Sequence, residues 1–246
     1  MLLITAALGE ELKTGTELCR RQKTLPHRSI SLRQAVRRDR TIFFLKTGVG
    51  PRRSAASLEE ALKIVEVSQI LVIGYAGALD PGLKLGDMVA VQSALALSLE
   101  ESNPTWENAR LDGTYELTQS DSLARFASSL ALTAETGNVL TSSHVLGNPA
   151  HKKMLFEKFR ASIVDMETAA LARVAASGNV PISCIRVISD EACDTFLDPF
   201  SHDPAQNIAE RASKLLSNGM LQTYRKWKNH TLVASRSLTE FLTHYL

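Results

Sequence analysis

The chain has 246 residues, 44% hydrophobic and 22% charged, with a formal net charge of +2. That length can hold one large α/β domain or two small ones with a sizeable core, and so small a charge gives no reason to expect nucleic acid as a partner. Three cysteines, Cys19, Cys184 and Cys193, show neither CxxC spacing nor paired histidines. This pattern suits a reducing cytoplasm and shows no zinc site.

Apolar runs alternate with helical patterns along the chain. The start, Met1–Leu8, is apolar but meets Glu10 and Glu11 at once. It lacks a basic flank and is too short for a signal peptide or a membrane span, so it reads as a buried first strand over Leu2–Ala7. A helix is expected over Glu10–Arg21, then a strand over Thr41–Lys46. The helix over Pro51–Val67 is the clearest, with proline in its first turn and Ala55, Leu58, Ala61, Leu62 and Val65 at helical spacing. Strands follow over Gln69–Gly74, Asp87–Gln92, Asn138–Thr141 and Ile182–Ser189. Helices are expected over Asp121–Leu132, Pro149–Phe159, Glu167–Ser177 and Pro204–Asn218. Ser98–Asp112 is polar and reads as a surface excursion.

Repeated β-then-α order predicts an α/β fold, a three-layer αβα sandwich with helices on both faces of a mixed, largely parallel central sheet. No repeat, linker or break in composition divides the chain, so residues 1–246 read as one domain. Residues 221–246 form a C-terminal helical extension of one helix or a pair. No run approaches membrane length.

Arg20, Arg21, Lys23, Arg28, Arg33, Arg37, Arg38 and Arg40 form a basic cluster without interleaved aromatics. It therefore lacks the stacking platform of a single-strand binder and reads as a solvated face or a subunit contact.

Two acids mark the chemistry. Glu167 follows the short apolar run Ile163–Met166, and Asp190 closes the run Cys184–Ser189. Strand, helix and strand at this spacing read as a parallel βαβ crossover, which sets both acids at one carboxyl edge, where α/β folds bind ligands. Paired acids there suit acid/base work on a small molecule. Thr47-Gly48-Val49-Gly50 and Gly74-Tyr75-Ala76-Gly77 are glycine turns after strands. They serve either close backbone approach to a ligand or tight packing, and neither is a dinucleotide or P-loop fingerprint. Glu10 and Glu11 open a helix, where acids are commonplace because they complement the dipole.

Together these segments resemble the purine nucleoside phosphorylase/nucleosidase superfamily, and most of all its hydrolytic branch, the 5′-methylthioadenosine/S-adenosylhomocysteine nucleosidases. The matching stretches are Ala7-Leu8-Gly9-Glu10-Glu11, Lys46–Gly50, Gly74–Leu79, Leu83–Asp87, Val164–Ala170 and Arg186–Asp190. The resemblance implies an N-glycosidic hydrolysis through a ribosyl cation-like state. It implies that Asp190 protonates the leaving base, that Glu11 activates water and that Glu167 grips the ribose 2′-hydroxyl. Met166 would pack beneath the sugar and Ser189 would orient Asp190. Tyr75, Ala76, Gly77 and Val145 would line the pocket, with Phe200 at the substrate's 5′ end.

The same resemblance implies no metal or organic cofactor, a small nucleoside as substrate, and a homodimer; the cytoplasm is expected from the cysteine pattern and the lack of a membrane-length run. Leu71-Val72-Ile73 holds no arginine before its glycine loop, where phosphorylases keep one for phosphate, so water is the favoured nucleophile. A phosphate-dependent phosphorylase, a hopanoid-associated phosphorylase-like protein, a futalosine hydrolase and a non-catalytic nucleoside binder are the alternatives on the same core. Tyr75 departs from the small polar residue usual in the nucleosidases.

Overall fold

The computed structural model describes residues 1–99, 105–195 and 218–246. In chain order its elements are β1 (Leu2–Ala6), α1 (Gly9–Glu17), β2 (Arg20–Leu25), β3 (Ser31–Arg37), β4 (Arg40–Lys46) and α2 (Pro51–Ile64). There follow β5 (Gln69–Ala78), β6 (Met88–Ser98), β7 (Arg110–Glu116), α3 (Ser120–Ser129), β8 (Ala134–Thr141) and α4 (Pro149–Phe159). The last are β9 (Ile163–Asp165), α5 (Thr168–Ser177), β10 (Ile182–Asp190) and α6 (Asn218–Tyr245). The C-terminal segment is a single helix. The expected helix over Pro204–Asn218 falls almost wholly outside the described residues, as does Phe200. Among the described residues no helix is long and apolar enough to cross a membrane.

The fold is α/β with a mixed sheet, but the expected open, largely parallel sandwich is corrected. Strand order is β10-β6-β8-β9-β5-β1-β4-β3-β2, and a further pairing of β10 with β5 closes five strands into a barrel. Parallel pairs (β1–β4, β1–β5, β5–β10, β6–β8, β8–β9) are no more numerous than antiparallel ones. The physical reason lies in β5, ten residues long. One of its edges pairs with β1 only through Val72 and then takes up β9 at Gly77 and Ala78, while β10 follows the other edge. A strand that changes neighbour partway along bends the sheet around itself.

The parallel βαβ crossover is corrected as well. β9 is antiparallel to β5 and β10 is parallel to it, so β9 and β10 run in opposite directions on opposite edges of one strand. The acids still converge, because β5 lies between them.

The first helix stops at Glu17 instead of Arg21, and Arg20–Leu25 starts an antiparallel ribbon with β3 and β4. Most of the basic cluster sits on that ribbon, exposed apart from the half-buried Arg37, whose Nη1 donates to the Leu18 carbonyl at 2.7 Å. β7 also begins inside the expected polar excursion. Helices α2 and α5 pack on one apolar face through Ala55, Leu58, Ala169 and Leu171. On the other, α1, α3 and α6 bring Leu12, Leu123, Leu238 and Phe241 against Ile4, Phe44, Leu71 and Ile185.

Candidate active site

A cavity of about 220 Å³ opens where β5 changes neighbour, lined by Leu8, Glu11, Val49, Tyr75, Ala76, Gly77, His144, Val145, Met166, Glu167, Ser189 and Asp190 among others. It holds every described residue to which the family resemblance gives a role. Among the described residues no arginine or lysine lines it.

Glu11 is at the third position of α1 and turns back on the helix start. Its Oε2 accepts from the Leu8 amide at 2.7 Å, as in a capping box, and its Oε1 accepts from the Tyr75 amide at 3.1 Å. Only 4% exposed, it is pushed by burial above the usual carboxylate range, against the pull of Arg186 and the two amides.

Glu167 sits between β9 and α5, 5% exposed. The amide of Gly50 donates to its Oε1 at 2.9 Å, so the Gly48–Gly50 turn serves to hold this acid. Gly50 takes φ +95° to do so, a conformation in which a side chain is strained. Burial raises the Glu167 carboxyl to about 7 despite Arg186, with Asp165 and Glu11 adding to the rise.

Arg186 links these groups from below. It is 1% exposed in the middle of β10, where its Nη2 donates to Asp165 Oδ2 at 2.6 Å and Thr168 Oγ1 at 2.9 Å and lies 3.6 Å from Glu167 Oε2. Its Nη1 donates to the Ile73 carbonyl at 3.2 Å. Asp165 also accepts from Thr141 Oγ1 at 2.6 Å and from the Thr168 hydroxyl. Burial works against the Arg186 charge, but Asp165 and the neighbouring acids outweigh it and raise the guanidinium's pKa. A buried cation paired in this way supports carboxylates that burial alone would neutralise, although its Nε finds no hydrogen-bond partner among the described residues. Gly74 leaves room for this contact: a Cβ there would stand 2.5 Å from both Arg186 Nη1 and Glu11 Oε1.

Asp190 reaches the cavity through a β-bulge. Ile188 pairs with Ala76 and Asp190 with Gly77, so Ser189 is the extra residue and the strict alternation of faces is broken there. Consecutive residues, Ser189 and Asp190, therefore both line the cavity. Ser189 Oγ lies 3.1 Å from Asp190 Oδ1. Asp190 Oδ2 is ion-paired with Lys152 of α4, and a Cβ on Gly77 would come within 2.8 Å of that oxygen. Tyr75 turns its phenol to Ser235 of α6, and burial raises its pKa.

Sequence reasoning missed Arg186, Asp165, Lys152 and His144. A charged residue inside the apolar run Cys184–Ser189 was a readable signal for Arg186. Lys152 gave none, because Lys152 and Lys153 look alike on an amphipathic helix while only the first is buried.

A family model described as the phosphorylase superfamily matches residues 2–222. The 5′-methylthioadenosine/S-adenosylhomocysteine nucleosidase of Staphylococcus aureus is 21% identical over 228 residues, 87% of this chain and all of that protein. In structure, the nucleosidase of the same description from Neisseria meningitidis, solved with methylthio-immucillin-A, superposes with a TM-score of 0.73. It is 15% identical and covers 98% of this chain and 96% of its own. The futalosine hydrolase of Helicobacter pylori superposes at 0.72 and 20% identity, over 99% and 97% of the two chains. At these identities the structural likenesses establish the fold.

Proposed function

Since the chain belongs to the phosphorylase superfamily, we propose that it is a nucleosidase that hydrolyses the N-glycosidic bond of a 5′-modified adenine nucleoside. The observation that carries this reading is the cavity lining: four carboxylates, Glu11, Asp165, Glu167 and Asp190, and, among the described residues, no arginine or lysine to hold phosphate. A ribosyl cation-like state is stabilised by surrounding negative charge, whereas an incoming phosphate dianion would be repelled by it.

In this reading Glu11 orients and deprotonates the attacking water. Both its oxygens are steadied by backbone amides, and a carboxyl raised by burial is a better base than an ordinary one. Glu167, held by Gly50 and backed by Arg186, accepts the ribose 2′-hydroxyl, and Met166 packs beneath the sugar. Asp190 delivers a proton to N7 of the base, steadied by Ser189. Ala76, Gly77, Tyr75 and Val145 enclose the purine and the 5′ group. The whole chain acts as one domain. Leu8, Val49 and Val145 are exposed apolar residues at the cavity, which supports a homodimer that covers this rim.

The test is release of free base from 5′-methylthioadenosine, S-adenosylhomocysteine and adenosine, with and without phosphate. Equal release in both, with free sugar as co-product, is expected. Strict phosphate dependence with a sugar 1-phosphate product overturns hydrolysis.

A further inference from the structure

Lys152 is the largest unexplained group near the cavity. It is 0% exposed, on the second turn of α4, and its ammonium donates to Asp190 Oδ2 and, at 2.8 Å, to the Glu191 carbonyl. A lysine is almost never fully buried unless paired, and dehydrating its charge is costly. Its one carboxylate partner among the described residues is the acid that the proposed reaction requires to carry a proton. Directly against that acid stands an ammonium whose N–H donates to it.

On the proposed nucleosidase reading, we infer that Lys152 is the proton store for the leaving base and that Asp190 is its relay. The side chain of Asp190 is 21% exposed and faces the cavity, whereas Lys152 has no access to it except through Asp190. Oδ1 is engaged by Ser189, which leaves Oδ2, between Lys152 and Gly77, as the relaying atom.

The step balances. As the C1′–N9 bond breaks, its electron pair passes into the purine. An N–H bond of Lys152 breaks, Asp190 Oδ2 takes the proton and passes it to N7, and Lys152 is left as the amine. Water adds its oxygen to C1′ and loses a proton to Glu11, which gives it to solvent. A solvent proton restores Lys152 through Asp190.

The neighbouring charges do not replace Lys152. The Glu191 side chain is turned to Lys84 at 3.6 Å, and Asp194 lies 3.7 Å from His230 Nδ1. Glu11 and Glu167 line the same cavity and, among the described residues, have no cation there beyond the buried Arg186.

The experiment measures kcat and KM for 5′-methylthioadenosine between pH 5 and 9 in the wild type, K152M, K152R and D190N, with thermal melts to establish folding. Arginine keeps the charge but does not part with its proton. K152M and K152R are therefore both expected to lose about 10²-fold or more in kcat at pH 8, the range of general acid catalysis, with KM changed less than about threefold. The deficit should shrink as pH is lowered, because solvent then supplies the proton that Lys152 no longer does. Adding K152M to D190N should cost nothing further. If K152M does not fold, K152Q takes its place in the same comparison.

Full activity in K152R overturns the inference, since charge alone would then suffice. A loss equal at every pH overturns it in favour of a structural role. A wild type that frees no base from any nucleoside overturns the proposed function instead.

Discussion

At Gly77 the space between a strand and a carboxylate is too small for a methyl group, which would stand 2.8 Å from Asp190 Oδ2. G77A should therefore displace Asp190 from Lys152 and lose roughly 10²-fold in kcat, the order expected for a misplacement near 1 Å. Melting should fall as well, because the displacement leaves the buried Lys152 ammonium without its carboxylate. Steady-state kinetics beside a thermal melt check both halves, and an unchanged kcat rejects the tight fit. Such residue-level demands were partly legible. Glycines at 74 and 77 after an apolar run announce close approach, but whether to a ligand or to the protein's own side chains was left open. The structure answers for both: Gly74 makes room for Arg186 and Glu11, and Gly77 for Asp190.

Among the elements, β5 and α6 organise the site. Residues Gln69–Ile73 read as a strand from their apolar run, but its continuation through Tyr75–Ala78 and its change of partner from β1 to β9 are not written in hydropathy. A three-residue strand such as β9 is too short to show a period, and its direction depends on β8 and β5 together. The wrong crossover follows from that shortness. Helix α6 was legible as amphipathic, and its docking is held by Phe241, 0% exposed, 5.5 Å from the Phe126 ring and stacked 5.3 Å from Tyr245. F241A should cost about 3–5 kcal/mol in denaturant unfolding. It should also raise KM, since Thr231 of the same helix lines the cavity and Ser235 holds Tyr75. A raised KM without lost stability would separate the helix from the core.

For the whole molecule, the buried acids set a pH dependence. Glu167 has its folded value raised from 4.5 to about 7. Between those values the folded state binds more protons than the unfolded one. Its contribution to stability is full below pH 4.5 and is lost as pH rises through about 7. Glu11, also raised, adds with the same sign. Calorimetric Tm should therefore fall from pH 5 to pH 8 more steeply in the wild type than in E167Q. In kinetics, kcat/KM should rise with pH through about 7 as Glu167 ionises to receive the 2′-hydroxyl, and E167Q should lose that limb. Parallel Tm profiles for the two proteins would refute the assignment.

Local chemistry by itself determined the α/β class, the order of most elements and the placing of Glu167 and Asp190 at strand ends, because apolar runs, caps and glycine turns are short-range signals; Glu11 came only from the family resemblance. Tertiary structure alone decided that the sheet closes into a barrel, that β9 opposes β10, and that Arg186, Asp165 and Lys152 stand behind those acids. Each of these is a pairing between residues distant in sequence. Burial then gives the charges their meaning: Lys152 and Lys153 are identical as residues, and only packing makes one of them a buried partner of Asp190.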